Sequence, residues 1–200
     1  RLILDSVLEN KPELLLPMYK LKSTDELYKR ADGIRLYIRR CALFHDIGKT
    51  RMPNIINMQY RRLTREEFEV IKQHPGIGAD SVDEDFDEYH AIILGHHKYF
   101  DGVTGYPVRY STNGLRTKFA IDIITVCDTL DAGTDYYGRN YAAKKTFTDV
   151  LKEMQNDEFN HYNPELVELI TKDKKLYDAI SHLLTDGREE TYYNLVKENL

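Results

Sequence analysis

The sequence has 200 residues, 30% of them charged and 42% hydrophobic, and a formal net charge of −5. This length fits one domain with a substantial buried core, and the acidic balance argues against a general nucleic-acid binder, which usually presents a basic surface. The two cysteines, Cys41 and Cys127, lie in apolar runs, so we expect neither a disulfide framework nor a thiolate metal site.

The chain carries no visible targeting or membrane segment. No apolar run approaches the roughly 18 residues that a membrane-spanning helix needs, and no signal peptide is recognisable. Because the two cysteines suggest no disulfide framework, a reducing cytoplasm is the expected location. Because the chain starts with Arg1 rather than Met, it can be a piece of a longer protein that carries a sensor or membrane part.

The spacing of apolar residues predicts helices throughout and no strand, so the expected class is all-α. Pro12 and Pro17 divide the first helical pattern, 1–20, into short helices. The clearest patterns then cover 32–44 and 115–131. Thr64 and Glu67 form a capping box at the start of another helix. Further helices are predicted over 77–82, 83–100, 146–155, 164–171, 174–184 and 189–199.

The first candidate site lies where the pattern over 32–44 ends, in the run His45-Asp46-Ile-Gly-Lys49. An imidazole and a carboxylate can ligate one cation, or the carboxylate can bridge two. Gly48 allows the backbone to pass close to such a site, and Lys49 places an ammonium where an anionic substrate could lie. Standing alone, a His-Asp pair would be interpreted as a partly buried polar pair.

A second polar pair, His96-His97, ends the pattern over 83–100. Successive residues of a helix point about 100° apart, so we expect the two rings to face different directions. They would serve neighbouring metals, or one would bind a metal while the other touches substrate.

Several motifs follow one another along the chain. They are HDIGK at 45–49, Pro53, LTREEFEVIKQHP at 63–75, the paired histidines, Asp101-Gly102 with Gly105-Tyr106-Pro107, and Asp128-x-x-Asp131-Ala132. In this order they resemble the HD superfamily of metal-dependent phosphohydrolases, and within it the HD-GYP branch, whose members hydrolyse cyclic di-GMP. The resemblance covers 32 to about 170.

The resemblance implies a helical bundle of about seven to nine helices with a C-terminal helical extension. The phosphohydrolase core would span 32–171, between an N-terminal helical segment over 1–31 and C-terminal helices over 172–200. It also implies a small nucleotide substrate, no nucleic-acid partner, and a possible regulatory domain or homodimer.

The resemblance assigns roles residue by residue. It implies metal ligands at His45, Asp46, His74, His96, His97 and Asp128. Asp46 would bridge two metals and Lys49 would hold a phosphate oxygen, which makes these two the catalytic residues. Arg139 would bind a substrate phosphate, and the substrate pocket would be lined by Gly102, Gly105, Tyr106 and Pro107.

The ligand types also restrict the metal. Histidines and carboxylates without thiolates suit Fe, Mn, Zn or Ni, with Mg less suited to so many imidazoles. Two cations about 3.5–4 Å apart would activate a hydroxide for attack on phosphorus.

This sequence departs from the family pattern in four places. Family members carry a further His, often after a Glu, well upstream of the HD pair, but 12–27 contains no His, and Glu13 is the only acid near the right position. Either the protein lacks this ligand or the stretch 21–30 joins segments that are apart in a longer protein; we favour the second. Lys98 stands where the family usually has Glu, and the stretches at 103–104 and 135–138 are longer than usual.

Two other functions stay open. One is an HD phosphohydrolase for another nucleotide or phosphoester, which the longer loop and Lys98 favour. The other is a degenerate domain that binds a nucleotide or partner protein without turnover, which the missing upstream ligand favours.

Overall fold

The computed structural model describes residues 1–53, 61–83, 86–135 and 145–198. These residues form helices and no β-strand, with a single isolated bridge between Lys98 and Gly105. The all-α prediction is confirmed. The α-helices are α1 (Leu2–Asn10), α2 (Leu16–Tyr19), α3 (Thr24–Tyr28), α4 (Ala31–Phe44), α5 (Arg65–Ile71), α6 (His74–Ala79), α7 (Asp87–Gly95), α8 (Lys118–Thr134), α9 (Phe147–Gln155), α10 (Pro164–Lys172), α11 (Lys174–Leu183) and α12 (Asp186–Glu198).

Local sequence signals explain where several helices begin. Thr64 caps α5, and Glu67 returns a hydrogen bond to its backbone N–H, as the predicted capping box requires. Asn163 accepts a hydrogen bond from the Glu165 N–H at the start of α10. Pro75 lies in the first turn of α6 rather than after a helix, because a missing N–H costs nothing there.

The bundle has one continuous hydrophobic core. Among the described residues, buried side chains from all the α-helices between α1 and α11 except α5 belong to a single cluster. Helices α4, α7 and α8 pack against one another, and a short 3₁₀-helix, Ile47–Arg51, packs on α6. The N-terminal α1 packs on α10 and α11, and Ser6 donates a hydrogen bond of 2.7 Å to Asp173.

Two glycines allow the closest backbone approach in this bundle. A Cβ atom on Gly48 would lie 2.0 Å from the His74 carbonyl oxygen, and a Cβ on Gly78 would lie 3.0 Å from the Gly48 nitrogen. The predicted role of Gly48 is therefore supported by the packing of the 3₁₀-helix on α6. This contact brings the HD pair next to His74.

The described helices include none that is both long and apolar enough to cross a membrane. The division into 1–31, 32–171 and 172–200 stays a prediction. Residues 21–30, which interrupt the sequence pattern, include α3, where Ser23 is the N-cap and Leu27 is fully buried in the core.

Candidate metal centre

The candidate site is formed by residues at the ends of three helices and in the interior of a fourth. His45 and Asp46 follow the end of α4, and His74 begins α6. Helix α7 ends at Gly95, so His96 and His97 lie at its C-terminus, and Asp128 lies in the middle of α8. The predicted helix over 83–100 is thus shorter than expected.

Three of the histidines are held in the same way. The Nδ1 atoms of His45, His74 and His96 each lie 2.7–2.8 Å from the carbonyl oxygen three residues earlier, on Ala42, Ile71 and Ile93. A carbonyl only accepts hydrogen bonds, so Nδ1 must carry the proton. Each Nε2 then keeps a lone pair, which is the tautomer that binds a cation.

These Nε2 atoms converge on Asp46. His74 Nε2 lies 3.1 Å from Asp46 Oδ1, His96 Nε2 lies 3.7 Å from the same oxygen, and the two Nε2 atoms lie 3.1 Å apart. The other oxygen, Oδ2, lies 3.5 Å from His45 Nε2. In the tautomer given above, these atoms all present lone pairs to one another. Such an arrangement is unfavourable without a cation or a proton between them.

The ligand atoms form two groups that share Asp46. The four-ligand group consists of Asp46, His74, His96 and His97, and the three-ligand group consists of His45, Asp46 and Asp128. Within each group the ligand atoms lie within 4.8 Å of one another. All six predicted metal ligands therefore lie together, and Asp46, which is predicted to bridge two metals, belongs to both groups.

The two adjacent histidines do not point apart as expected. Their ring centroids are 4.1 Å apart, and both belong to the four-ligand group. The prediction assumed that the helix continues through both residues. His96 is its C-cap and keeps helical backbone angles, but His97 lies beyond the end of α7.

Burial and charge set the ionisation of the site. Burial alone would raise the pKa of Asp46, but hydrogen bonding through a proton shared with the His74 and His96 nitrogens, together with the charges of His45 and Lys49, holds it well below its usual range. Burial also opposes ionisation of Asp128, but contacts with His45 lower its pKa to about 2. Both carboxylates are therefore ionised near neutral pH, as metal ligands must be.

The histidines divide into two classes. Burial would lower the pKa of His45, but the neighbouring carboxylates of Asp128 and Asp46 raise it above 6.5. Burial lowers the pKa of His96, and it lowers the pKa of His97 to about 2. His96 and His97 thus resist protonation, whereas His45 gains a proton more readily than an ordinary histidine.

Lys49 lies beside the shared carboxylate. Its Nζ is 2.5 Å from Asp46 Oδ2, and about a third of its side chain is exposed. An ammonium here can orient Asp46 and can also reach an anion entering from solvent. The contact with Asp46 was not expected from the sequence.

The predicted pocket loop lies over His97. The Tyr106 and His97 rings stack with centroids 4.4 Å apart and an interplanar angle of 27°. Gly102 and Gly105 have positive φ values of 75° and 89°, which glycine adopts readily. Of the predicted pocket residues, Tyr106 and Gly105 lie beside His97. The pocket formed by Gly102, Gly105, Tyr106 and Pro107 stays a prediction, and Arg139 lies outside the described residues.

The upstream ligand that the resemblance implies has no counterpart in the described part of 1–31. Glu13 is exposed, and neither ligand group includes a residue before His45. Sequence reasoning also missed Lys98, which is 2% exposed. Its identity was noticed as a departure, but its burial could not be predicted because lysine is almost always at the surface.

Known proteins share this sequence pattern. A family model described as an HD domain matches residues 17–166, three quarters of the chain. The chain belongs to the HD-domain family. The predicted superfamily is thus confirmed by a match that includes every described ligand.

Several relatives of this HD domain have assigned names. A cyclic di-GMP phosphodiesterase of Thermotoga maritima is 32% identical over 165 residues, which is 78% of this chain and 42% of that protein. A cyclic di-GMP phosphodiesterase of Vibrio cholerae is 28% identical over 74% of this chain and 31% of its own length. A 3′3′-cGAMP-specific phosphodiesterase 2 of the same organism is 25% identical over 80% of this chain and 30% of its own length. The HD domain here thus spans less than half of each relative, and their names agree with the predicted HD-GYP type.

The residues present fit a metal. Asp46 Oδ1, His45 Nε2 and His97 Nε2 are buried and have no hydrogen-bond partner. Buried polar atoms normally have partners, and all three belong to the two ligand groups. Imidazole nitrogens and carboxylate oxygens are the donors that divalent transition metals use in proteins.

Proposed function

We propose that this HD domain is the catalytic part of a metal-dependent phosphodiesterase that hydrolyses cyclic di-GMP or a related cyclic dinucleotide. The observation that carries the proposal is the position of Asp46, whose two oxygens face two separate sets of ligand atoms. Such a shared carboxylate is suited to a pair of metals. The named relatives supply the substrate class.

The site residues would hold two divalent metals, with Fe, Mn, Zn or Ni favoured over Mg by the histidine content. When bound, such a pair supplies an activated water as nucleophile and stabilises charge on the phosphate. The described residues provide more ligands on one side of Asp46 than on the other. The three-ligand group therefore has fewer protein ligands, which leaves room for a substrate oxygen to approach.

Lys49 would act on the substrate phosphate. Its Nζ contacts Asp46 Oδ2, the oxygen that faces the three-ligand group, so it lies on the open side of the centre. An ammonium there can hold a non-bridging phosphate oxygen and offset the charge that develops during displacement. Lys49 and Asp46 are therefore the two proposed catalytic residues, on which turnover should depend most.

The guanine-side pocket would be formed by the loop that contains Gly102, Gly105, Tyr106 and Pro107. Tyr106 lies against His97, so its exposed edge borders the ligand groups. Arg139 would bind the second phosphate, because a guanidinium can make two parallel hydrogen bonds to it. A further domain, such as a regulatory one, would account for the remaining length of the relatives, and a second copy of this chain in a homodimer is the other expected partner.

The test compares three substrates. Protein loaded with Mn²⁺ or Fe²⁺ is incubated with cyclic di-GMP, 3′3′-cGAMP and a small nitrophenyl phosphodiester, and products are separated by chromatography and identified by mass. We expect cleavage of the nitrophenyl diester and of at least one cyclic dinucleotide. Cleavage of the small diester alone would indicate that the natural substrate is another phosphoester and not a cyclic dinucleotide.

A variant at Arg139 tests the dinucleotide pocket. Arg139→Ala should lower hydrolysis of the cyclic dinucleotide much more than hydrolysis of the nitrophenyl diester, because only the larger substrate reaches this residue. The exposed Arg116 provides the control, and Arg116→Ala should leave both activities unchanged. Equal losses on both substrates would mean that Arg139 supports the fold or the metals instead.

A non-catalytic HD domain is the second candidate. It is favoured by the absence, among the described residues, of any ligand from the segment before α4. Protein that contains two metals but cleaves none of the three substrates, while binding a cyclic dinucleotide in calorimetry, would establish this alternative.

A further inference from the structure

Lys98, the residue after the paired histidines, is a buried lysine next to the ligand groups. Its side chain is 2% exposed, and no carboxylate of the described residues lies within ion-pair distance of its Nζ. Burial lowers the pKa of Lys98, although Asp101 opposes this. A buried ammonium is costly unless hydrogen bonds satisfy it, so its partners show what it does.

The partners of Lys98 lie on both sides of Tyr106. Its Nζ donates to the Pro107 carbonyl at 3.1 Å and to the Gly105 carbonyl at 3.4 Å. One side chain therefore fixes the backbone immediately before and after Tyr106. A lysine can do this because its ammonium has three donors and no acceptor.

Further contacts hold the same loop beside the paired histidines. Tyr106 N–H donates to the His97 carbonyl at 3.3 Å, and the Asp101 carboxylate accepts from the Val103 and Thr104 N–H groups. A Cβ atom on Gly105 would lie 2.2 Å from the His97 carbonyl oxygen. The backbone at Gly105 therefore passes directly beside the paired histidines.

His97 differs from the other histidines of the centre. The rings of His45, His74 and His96 are each held by a backbone carbonyl. Among the hydrogen bonds between described residues, none holds the His97 ring, and its buried Nε2 has no partner. The His97 ring instead stacks on the Tyr106 ring, with the two ring centroids 4.4 Å apart.

We propose that Lys98 is a positioning residue that holds Tyr106 against His97 and thereby aligns His97 within the four-ligand group. Each of the other three histidines is oriented by a backbone carbonyl. For His97, the stacked ring of Tyr106 has this role, and Lys98 holds the loop that carries Tyr106. The proposal rests on the proposed function only in assuming that this group binds a metal.

The first readout is amide hydrogen exchange, which needs no substrate. In Lys98→Met, whose side chain has no donor, the amides of 99–107 should exchange about tenfold faster or more, because local opening becomes easier. Lys98→Arg keeps donors and charge and should restore most of the protection. Lys174→Met, at a lysine on α11 whose side chain is 85% exposed, is the control and should leave 99–107 unchanged.

The second readout is Co²⁺ binding followed by its visible absorption spectrum. Lys98→Met should weaken the tighter Co²⁺ site by about 10–100-fold, the loss typical when a residue that orients a metal ligand is removed. It should also shift the absorption bands, because a misaligned His97 changes the coordination. Lys98→Arg should return both values toward those of the unaltered protein.

Thermal unfolding separates a local effect from general misfolding. If Lys98→Met folds and both readouts match the unaltered protein, the positioning role is wrong. If Lys98→Met does not fold, Gly105→Ala is decisive, since its Cβ must displace the loop from His97 and Lys98. That variant should expose Lys98 to acetylation and shift the Co²⁺ bands, and the absence of both changes would overturn the proposal.

Failure of the proposed function has a different signature. If the proposed function is wrong but Lys98 positions His97, the exchange and Co²⁺ results hold while no cyclic dinucleotide is cleaved by the unaltered protein. If both hold, Lys98→Met should raise KM for the cyclic dinucleotide more than KM for the nitrophenyl diester, because Tyr106 borders only the larger substrate.

Discussion

The four-ligand group and the three-ligand group share the Asp46 carboxylate but differ in burial and in the number of their ligands. In the four-ligand group, the His74 and His96 side chains are fully buried. A backbone carbonyl holds each of these rings, as one also holds His45, so burial is what differs between the groups. In the three-ligand group, the side chains of His45 and Asp128 are 17% and 20% exposed, and no residue from the first helices joins them. One side thus resembles a permanent metal site, and the other resembles a position open to solvent and substrate.

This comparison teaches how a shared carboxylate can give two metals different roles. A buried and crowded set of lone pairs retains its metal, while an exposed set with fewer ligands leaves coordination positions free. The predictions below would break or sharpen this difference, beginning with the residue that both groups need.

Asp46→Ala should produce the largest effect. Because Asp46 belongs to both groups, its loss should remove most of both metals, and hydrolysis should fall to background. Elemental analysis of purified protein measures metal per chain. The exposed Asp80 provides the control, and Asp80→Ala should retain full metal. Retention of both metals by Asp46→Ala would contradict a bridging role.

Lys49→Ala should lower turnover by about 10²–10³-fold, the usual loss for one donor that stabilises developing charge. Metal content should stay near that of the unaltered protein, because an ammonium is no metal ligand. Steady-state kinetics and elemental analysis on the same preparation give both values. If metal is lost together with activity, the contact of Lys49 with Asp46 orients the carboxylate, and the substrate role is wrong.

Asp128→Asn separates the two groups. It weakens only the three-ligand group, so we expect loss of about one metal of the pair, with the four-ligand group still filled. Asp131 lies on the same helix with its side chain 74% exposed and paired with Arg188, so Asp131→Asn is a matched control. Loss of both metals in Asp128→Asn would show that the groups fill only together.

The six candidate ligands could be named from the sequence because each lies in a short motif of the family that the chain resembles. The structure brings their side chains together, and their binding of metal stays a prediction. The helices were also predictable, since apolar spacing and caps such as Thr64 act locally. What could not be predicted depends on long-range packing. The end of α7 at Gly95 turned His96 and His97 toward one group, and the burial of Lys98 followed from a loop that returns to it.

Acidification should release the two metals in sequence. The pKa of His45 is raised, so its Nε2 gains a proton at a higher pH than the ordinary value of 6.5 and then cannot bind metal. The pKa values of His96 and His97 are lowered, so these rings keep their lone pairs in more acidic solution. Metal release followed by a chelating dye from pH 8 downward should show two steps. Asp128→Asn should remove the first step, and a single step in the unaltered protein would contradict the asymmetry.

The smallest effect is expected at a hydroxyl that supports the four-ligand group from behind. Thr125, on α8, donates hydrogen bonds to the His96 carbonyl at 2.8 Å and to the Ile121 carbonyl at 3.0 Å. Both carbonyls share the one hydroxyl hydrogen, so Thr125→Val removes both contacts while conserving side-chain volume, and unfolding should require about 1 kcal/mol less free energy. Affinity for the tighter metal should fall by about tenfold, because the backbone that orients His96 becomes looser.

Thr129 is the matched control for this prediction, since it lies one turn later and its hydroxyl donates to the Thr125 carbonyl of its own helix. Thr129→Val should change metal affinity little, whatever it does to stability. Denaturant unfolding of the metal-free proteins and competition with a chelating dye measure the two quantities separately. If Thr125→Val and Thr129→Val lose the same affinity, the contact with His96 adds nothing to the four-ligand group, and the rigidity of that group comes from the backbone carbonyls on the ring nitrogens alone.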